Sequence, residues 1–156
     1  MAKVRQAVEQ DIPALVAIGR GMHAEAPALR HARYDADKVA AALKHSIAQG
    51  CTFVHEQEGE LDGAFVGIVI ERWFSSDRMA ADLALFVRRD RRGGLIAYRL
   101  LDAFLTWCDE QGIDDRQLAV STGVAPAATG ELYKRLGFEP IGGLYQMRVN
   151  GHVHRA

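Results

Sequence analysis

A chain of 156 residues, 49% hydrophobic and 25% charged, is sized for one domain with a proper core, spanning 1–156, and leaves no room for a second. Nineteen Lys and Arg stand against 20 Asp and Glu, a net charge of −1, which excludes a global pull toward nucleic acid or anionic membrane and makes any anion recognition local. The first residues, MAKVRQAVEQD, carry no secretory core, and no window approaches the ~20 apolar residues of a membrane span, so a cytoplasmic location is expected.

Val4 to Val8 alternates as a short strand. Asp11 as N-cap and Pro13 in the first turn then predict a helix over about 11–24. Pro27 to Tyr34 holds Pro, two Arg and a His without periodicity and reads as a loop of functional interest. A second helix starts at Asp35, with Val39, Leu43 and Ile47 on one face, and stops at Gly50. The period then falls to two: CTFVHEQ, a turn at EGELDG and AFVGIVIERWF predict a hairpin, and MAADLALFVRR follows after the turn SSD. The apolar density of this third strand predicts burial on both faces and a central position. Leu95, Tyr98, Leu101, Leu105 and Cys108 restore helical spacing from Gly94 to Gly112. RQLAVSTGV reads as a strand, PAATGELYKRLG as a helix stopped by Gly137, and FEPIGGLYQMRVN as a final strand or broken hairpin. The order β-α-α-β-β-β-α-β-α-β describes one mixed α/β unit. Cys51 and Cys108 lack CxxC spacing and are expected as buried free thiols. His152 and His154 form an HxH, but two ligands do not make a metal site, and no metal is expected.

The stretch RRDRRGGLIAYRLL, residues 88–101, joins the apolar strand to a helix through a glycine-bearing turn. First-turn amides of a helix have no intrahelical partners, and the dipole adds partial positive charge at the same place. Gly93 and Gly94 lack the Cβ atoms that would keep a diphosphate away. Arg88, Arg89, Arg91 and Arg92 add charge-assisted donors, partly offset by Asp90. The pattern is neither GxxxxGK[ST] nor GxGxxG.

The element order, LALFVRRDRRGGLIAYRLL and the downstream ELYKRLGFEPIGG together resemble the GNAT superfamily, the Gcn5-related N-acetyltransferases. The resemblance runs from the first strand to the last. It implies a mixed central sheet of about six to seven strands flanked by about four helices and splayed at a cofactor cleft. The family's [RQ]xxGx[GA] signature, whose amides hold the coenzyme A diphosphate, falls on Arg92, Gly93, Gly94, Leu95, Ile96 and Ala97. Leu95 stands where the family has glycine. The resemblance further implies backbone contacts to pantetheine near Phe86 and Val87, with Arg88 beside them. The LYxxxGF signature falls on Leu132, Tyr133, Gly137 and Phe138 and implies Tyr133 as general acid to the departing thiolate. The family's frequent asparagine is absent from GVAPAATG.

The implied activity is direct transfer of acetyl from acetyl-CoA to an amine of a small molecule or peptide in a ternary complex, with a main-chain amide polarising the thioester carbonyl. A base must also take the amine proton; Asp82 on the apolar strand and Glu71 on the strand before it, both close in sequence to Trp73 and Phe74, are the candidates by location, and neither is assigned. His23 and His31 fall where the family shapes its acceptor pocket. An exposed final strand could pair two copies edge to edge as a homodimer. The alternative reading is a non-catalytic module that binds acyl-CoA in a regulatory or structural role.

Overall fold

The computed structural model describes residues 1–149. His152 and His154 lie outside the described residues. β1 (Lys3–Gln6) leads through a 3-10 turn, Glu9–Asp11, into α1 (Ile12–Glu25). α2 (Ala36–Gln49) follows, then β2 (Thr52–Gln57), β3 (Glu60–Glu71), β4 (Arg78–Val87), α3 (Ile96–Gln111), β5 (Asp115–Gln117) and α4 (Pro126–Arg135). The five strands lie in sequence order in one sheet. The first four are antiparallel neighbours and β5 runs parallel to β4.

Strand alternation divides the core. Phe53 and Phe65 face α3, packing with Leu100, Leu101, Phe104 and Trp107, whereas their neighbours Val54 and Ala64 face Leu15 of α1 and Leu43 of α2. Two helices therefore cover each face, α1 and α2 on one and α3 with Tyr133 of α4 on the other. Cys51 and Cys108 are free and buried in the α3 side, and burial pushes their thiols up to about 12 and about 11. Glu58 and Gly59, both at positive φ, close a two-residue turn between β2 and β3.

Three sequence expectations are corrected. Asp11 does not cap α1 through its side chain. Its carboxylate is taken by Arg5 at 2.8 and 3.0 Å and by the Val8 amide at 2.8 Å, so it closes the preceding 3-10 turn. The strand expected over RQLAVSTGV stops at Gln117. Beyond the pair Ala81–Gln117, the Asp82 carboxylate accepts from the Ala119 amide at 2.9 Å, and a side chain has replaced the next ladder bond. The final strand expected over FEPIGGLYQMRVN does not form among the described residues, and Ile141, Leu144, Tyr145, Met147 and Val149 are exposed. Pro140 and the Gly142–Gly143 pair interrupt that segment, and a three-residue β5 offers almost no ladder to join. Among the described residues the sheet therefore has five strands, below the six to seven expected.

Candidate active site

The end of β4 is stripped of one neighbour. Pairing with β5 covers only Met79, Ala80 and Ala81, so from Asp82 to Val87 the β4 edge that faces away from β3 has no ladder among the described residues. On the β3 side, Val66 pairs Ala84 and Gly67 pairs Asp82, which leaves Leu83 as a bulge. Gly67 is needed opposite it, because a Cβ there would lie 2.7 Å from the Cys51 carbonyl oxygen. Sequence alternation gave no sign of this bulge, which exposes Leu83 by 52%.

The chain leaves β4 through a short 3-10 turn, Arg89–Arg91, and turns into α3 at Gly93. Gly93 has φ +85°, a conformation L side chains resist, and a Cβ on Gly93 or Gly94 would meet nothing within 4 Å. The space over both glycines is open. Leu95 is the N-cap of α3 at φ −96°, ψ 1°, with no side-chain cap. Any L residue adopts that conformation, so the left-handed turn falls on a residue that is glycine and Leu95 does not strain the loop. From Gly93 through Ile96 and Ala97 to Tyr98, the backbone amides have no protein acceptor among the described residues. Six amides at and just before a helix N-terminus, with Gly93 and Gly94 uncovered, leave donors available to an anion.

The arginines are less free than their number suggests. Arg88 donates from Nε and Nη2 to Asp90 at 2.6 and 3.0 Å. Arg91 reaches Gln57 Oε1 at 3.3 Å. Arg92 donates from Nε to the Val87 carbonyl at 2.8 Å and from both terminal nitrogens to the Glu25 carboxylate, with its guanidinium 5.9 Å from the Phe86 ring centroid. The loop is fixed at its start by the Arg88 amide, which donates to the Asp62 carbonyl at 2.8 Å. Asp62 is itself buried against His55 Nδ1. Neither member of that pair stood out in the sequence, where TFVHEQ reads only as a strand.

A second region lies further back along the sheet. A cleft of about 870 Å³ opens between β4, β5, α4 and residues 139–144, with Asp82, Ala119, Tyr133 and Phe138 in its wall. Tyr133 is 7% exposed and donates to the Ala119 carbonyl at 3.1 Å. The amide of the same residue donates to Asp82, so Asp82 and Tyr133 meet on either side of Ala119. Burial, with the Asp82 charge, pushes the Tyr133 phenol above the ordinary range and keeps it protonated. Burial also raises the Asp82 carboxyl, against the pull of the Ala119 amide. Phe86, Val87 and the loop residues do not line this cleft; β4 ends at Val87, about 16 Å from Asp82 at ~3.3 Å per residue.

Of the segments expected on the acceptor side, the α1–α2 loop meets the loop before α4 where the Ala28 amide donates to the Thr122 carbonyl at 3.1 Å. Ala125 there is in the left-handed region at φ 42°, a strained setting for a residue with a Cβ. His23 Nε2 donates to the Ala32 carbonyl at 2.6 Å, and His31 is exposed. Glu71, Trp73 and Phe74 belong to the opposite end of the sheet, since Glu71 pairs Arg78 at the start of β4, and they take no part in either region.

Residues 48–140 match a family model described as an acetyltransferase (GNAT) domain. No curated protein matches. Among solved structures, a predicted acetyltransferase with acetyl-CoA from Clostridium acetobutylicum is 18% identical, with TM-score 0.71 over 99% of this chain and 100% of that one. A ribosomal-protein-alanine N-acetyltransferase from Brucella melitensis is 24% identical, with TM-score 0.74 over 90% and 86%. An aminoglycoside acetyltransferase from an uncultured soil metagenomic sample, in complex with trehalose, is 17% identical, with TM-score 0.69 over 95% and 97%. At these identities the structural likeness establishes a common fold.

Proposed function

Since the chain belongs to the GNAT acetyltransferase family, we propose that residues 1–156 form a single acetyl-CoA-dependent N-acetyltransferase domain acting on an amine of a small molecule or peptide. The observation that carries this reading is the run of amides from Gly93 to Tyr98 without protein acceptors, placed where β4 has lost its partner strand. The amides of Gly93, Gly94, Leu95, Ile96 and Ala97 bind the diphosphate, supported by charge from Arg88 and Arg92. Pantetheine follows the open edge of β4 past Val87 and Phe86 toward Asp82, adding hydrogen bonds that the missing strand would have made.

Bound acetyl-CoA supplies the activated acyl group as a thioester. The acceptor amine attacks as the free base; its C–N bond forms, the C–S bond breaks, and the amine proton leaves through the open cleft. A main-chain amide of the unladdered β4 segment donates to the carbonyl oxygen as charge develops on it. Tyr133, kept protonated by burial, turns its hydroxyl from the Ala119 carbonyl to the departing sulfur, supplies the proton that makes the free thiol, and takes a proton back from water in the open cleft, which balances the one the amine released. The Tyr133–Ala119 bond favours the alternative, a non-catalytic acyl-CoA-binding module, because there the same hydroxyl serves only to hold α4 against the β5 exit.

Thermal unfolding with added acetyl-CoA tests binding. At a hundred times Kd the stabilisation is about 2.7 kcal/mol, which for a chain of this size raises Tm by about 8 °C; no shift at millimolar acetyl-CoA refutes the proposal. Thiol release across an amine and peptide panel then separates the enzyme from the binding module.

A further inference from the structure

Glu25 is the last residue of α1, where the helix dipole disfavours a carboxylate. A charge in that place calls for a compensating partner, and the structure supplies Arg92, 67 residues away in the loop after β4. The pair is a two-pronged fork, with Nη2 to Oε2 at 2.9 Å and Nη1 on Oε1. A guanidinium fork accepts a phosphate with the same geometry as a carboxylate. Arg92 directly precedes the amides that have no acceptor, so the side chain best placed to join them on an anion is held by another group.

We propose that Glu25 is a latch on the diphosphate-binding arginine: it holds Arg92 in the ligand-free protein, and a diphosphate-bearing cofactor binds by displacing it. This rests on the cofactor reading above. Arg92 Nε stays on the Val87 carbonyl, 2.8 Å away, as the pivot, and the two terminal nitrogens change partner from carboxylate to phosphate. Both partners are about one third exposed, 32% and 28% by side chain, so the exchange goes through water without stranding a buried charge. Arg92 and then Arg89 hold the Glu25 carboxyl below its usual range, so the latch is charged throughout the neutral range. Breaking the latch also frees the end of α1 from the cofactor loop, which makes the α1–α2 side of the cleft depend on cofactor occupancy.

Calorimetric titration of the full chain with coenzyme A, with inorganic pyrophosphate and with pantetheine tests the latch. Glu25→Gln and Glu25→Ala are expected to tighten coenzyme A and pyrophosphate about five-fold, the value of a partly exposed ion pair expressed in Kd. Arg92→Gln is expected to weaken both about five-fold, the double variant to match Arg92→Gln, and pantetheine affinity to stay unchanged in all. Circular dichroism confirms that each variant is folded. Coenzyme A binding weakened or unchanged in both Glu25 variants makes the pair a fixed strut and overturns the latch alone. A wild-type protein that binds neither coenzyme A nor pyrophosphate overturns the cofactor reading and the latch with it.

Discussion

Removal of one oxygen, Tyr133→Phe, separates a chemical role for the phenol from a structural one. The hydroxyl makes one hydrogen bond, 3.1 Å to the Ala119 carbonyl, in a setting where the side chain is almost wholly buried. Losing a bond of that kind costs about 0.5–1.5 kcal/mol. With ~2.1 cal/mol/K of unfolding entropy per residue over 156 residues, 1 kcal/mol corresponds to a fall in Tm of about 3 °C. The ring is retained, so the packing against Phe138, 6.0 Å between centroids, is kept. A general acid removed from the transition state costs far more in rate, about 10²-fold or greater in kcat. On the proposed cofactor site, acetyl-CoA affinity is set mainly by the amides beyond Val87, and it is expected to change by less than about two-fold. Steady-state thiol release, differential scanning fluorimetry and calorimetric Kd on the same preparation read all three quantities. Because burial holds the phenol protonated above the ordinary range, wild-type kcat is also expected not to fall as pH rises through that range. Unchanged kcat beside a Tm lowered by about 3 °C would make Tyr133 a support for Ala119 and remove it from the chemistry.

The two loop glycines are expected to respond differently. Gly93→Ala forces a Cβ into φ +85° and costs about 1–2 kcal/mol of stability with or without ligand, whereas Gly94→Ala meets open space and weakens only coenzyme A binding; chemical denaturation and calorimetry distinguish the two, and Gly94→Ala with unaltered affinity would displace the cradle. In the Arg5–Asp11 pair, hydrogen bonding to Arg5 lowers the Asp11 carboxyl below 3.8. Its stabilising contribution is therefore complete above that value and is lost as pH falls through the depressed folded-state value. Asp11→Asn is expected to be less stable than wild type at neutral pH, with the gap closing in acid; a gap in urea midpoints that does not change with pH would refute the linkage.

The geometry of the loop after β4 was legible because its causes are local. A glycine where the backbone must turn left-handed, a helix starting beside it and arginines around it all lie within a few consecutive residues, RRDRRGGLIAYRLL. The same holds for α2, where Asp35 accepts from the Lys38 amide at 3.1 Å and Gly50 ends the helix at φ +80°. The two free thiols and the face-by-face division of Phe53 from Val54 also follow from local pattern and burial preference.

Tertiary structure decided what depends on partners far apart in the chain. RQLAVSTGV has strand composition, but its length as a strand was set by Asp82, whose carboxylate takes the Ala119 amide and ends the ladder. Asp11 is a good capping residue by type, yet Arg5 lies close enough to claim it. FEPIGGLYQMRVN alternates well enough for a strand, but a strand needs an edge to pair with, and β5 is too short to provide one. Arg92 reads in sequence as an unoccupied phosphate donor; only the fold brings Glu25 to it. Propensity and capping are properties of neighbours along the chain and can be read there, whereas the occupancy of a charged side chain and the pairing of an edge are settled by competition among residues that only folding brings together.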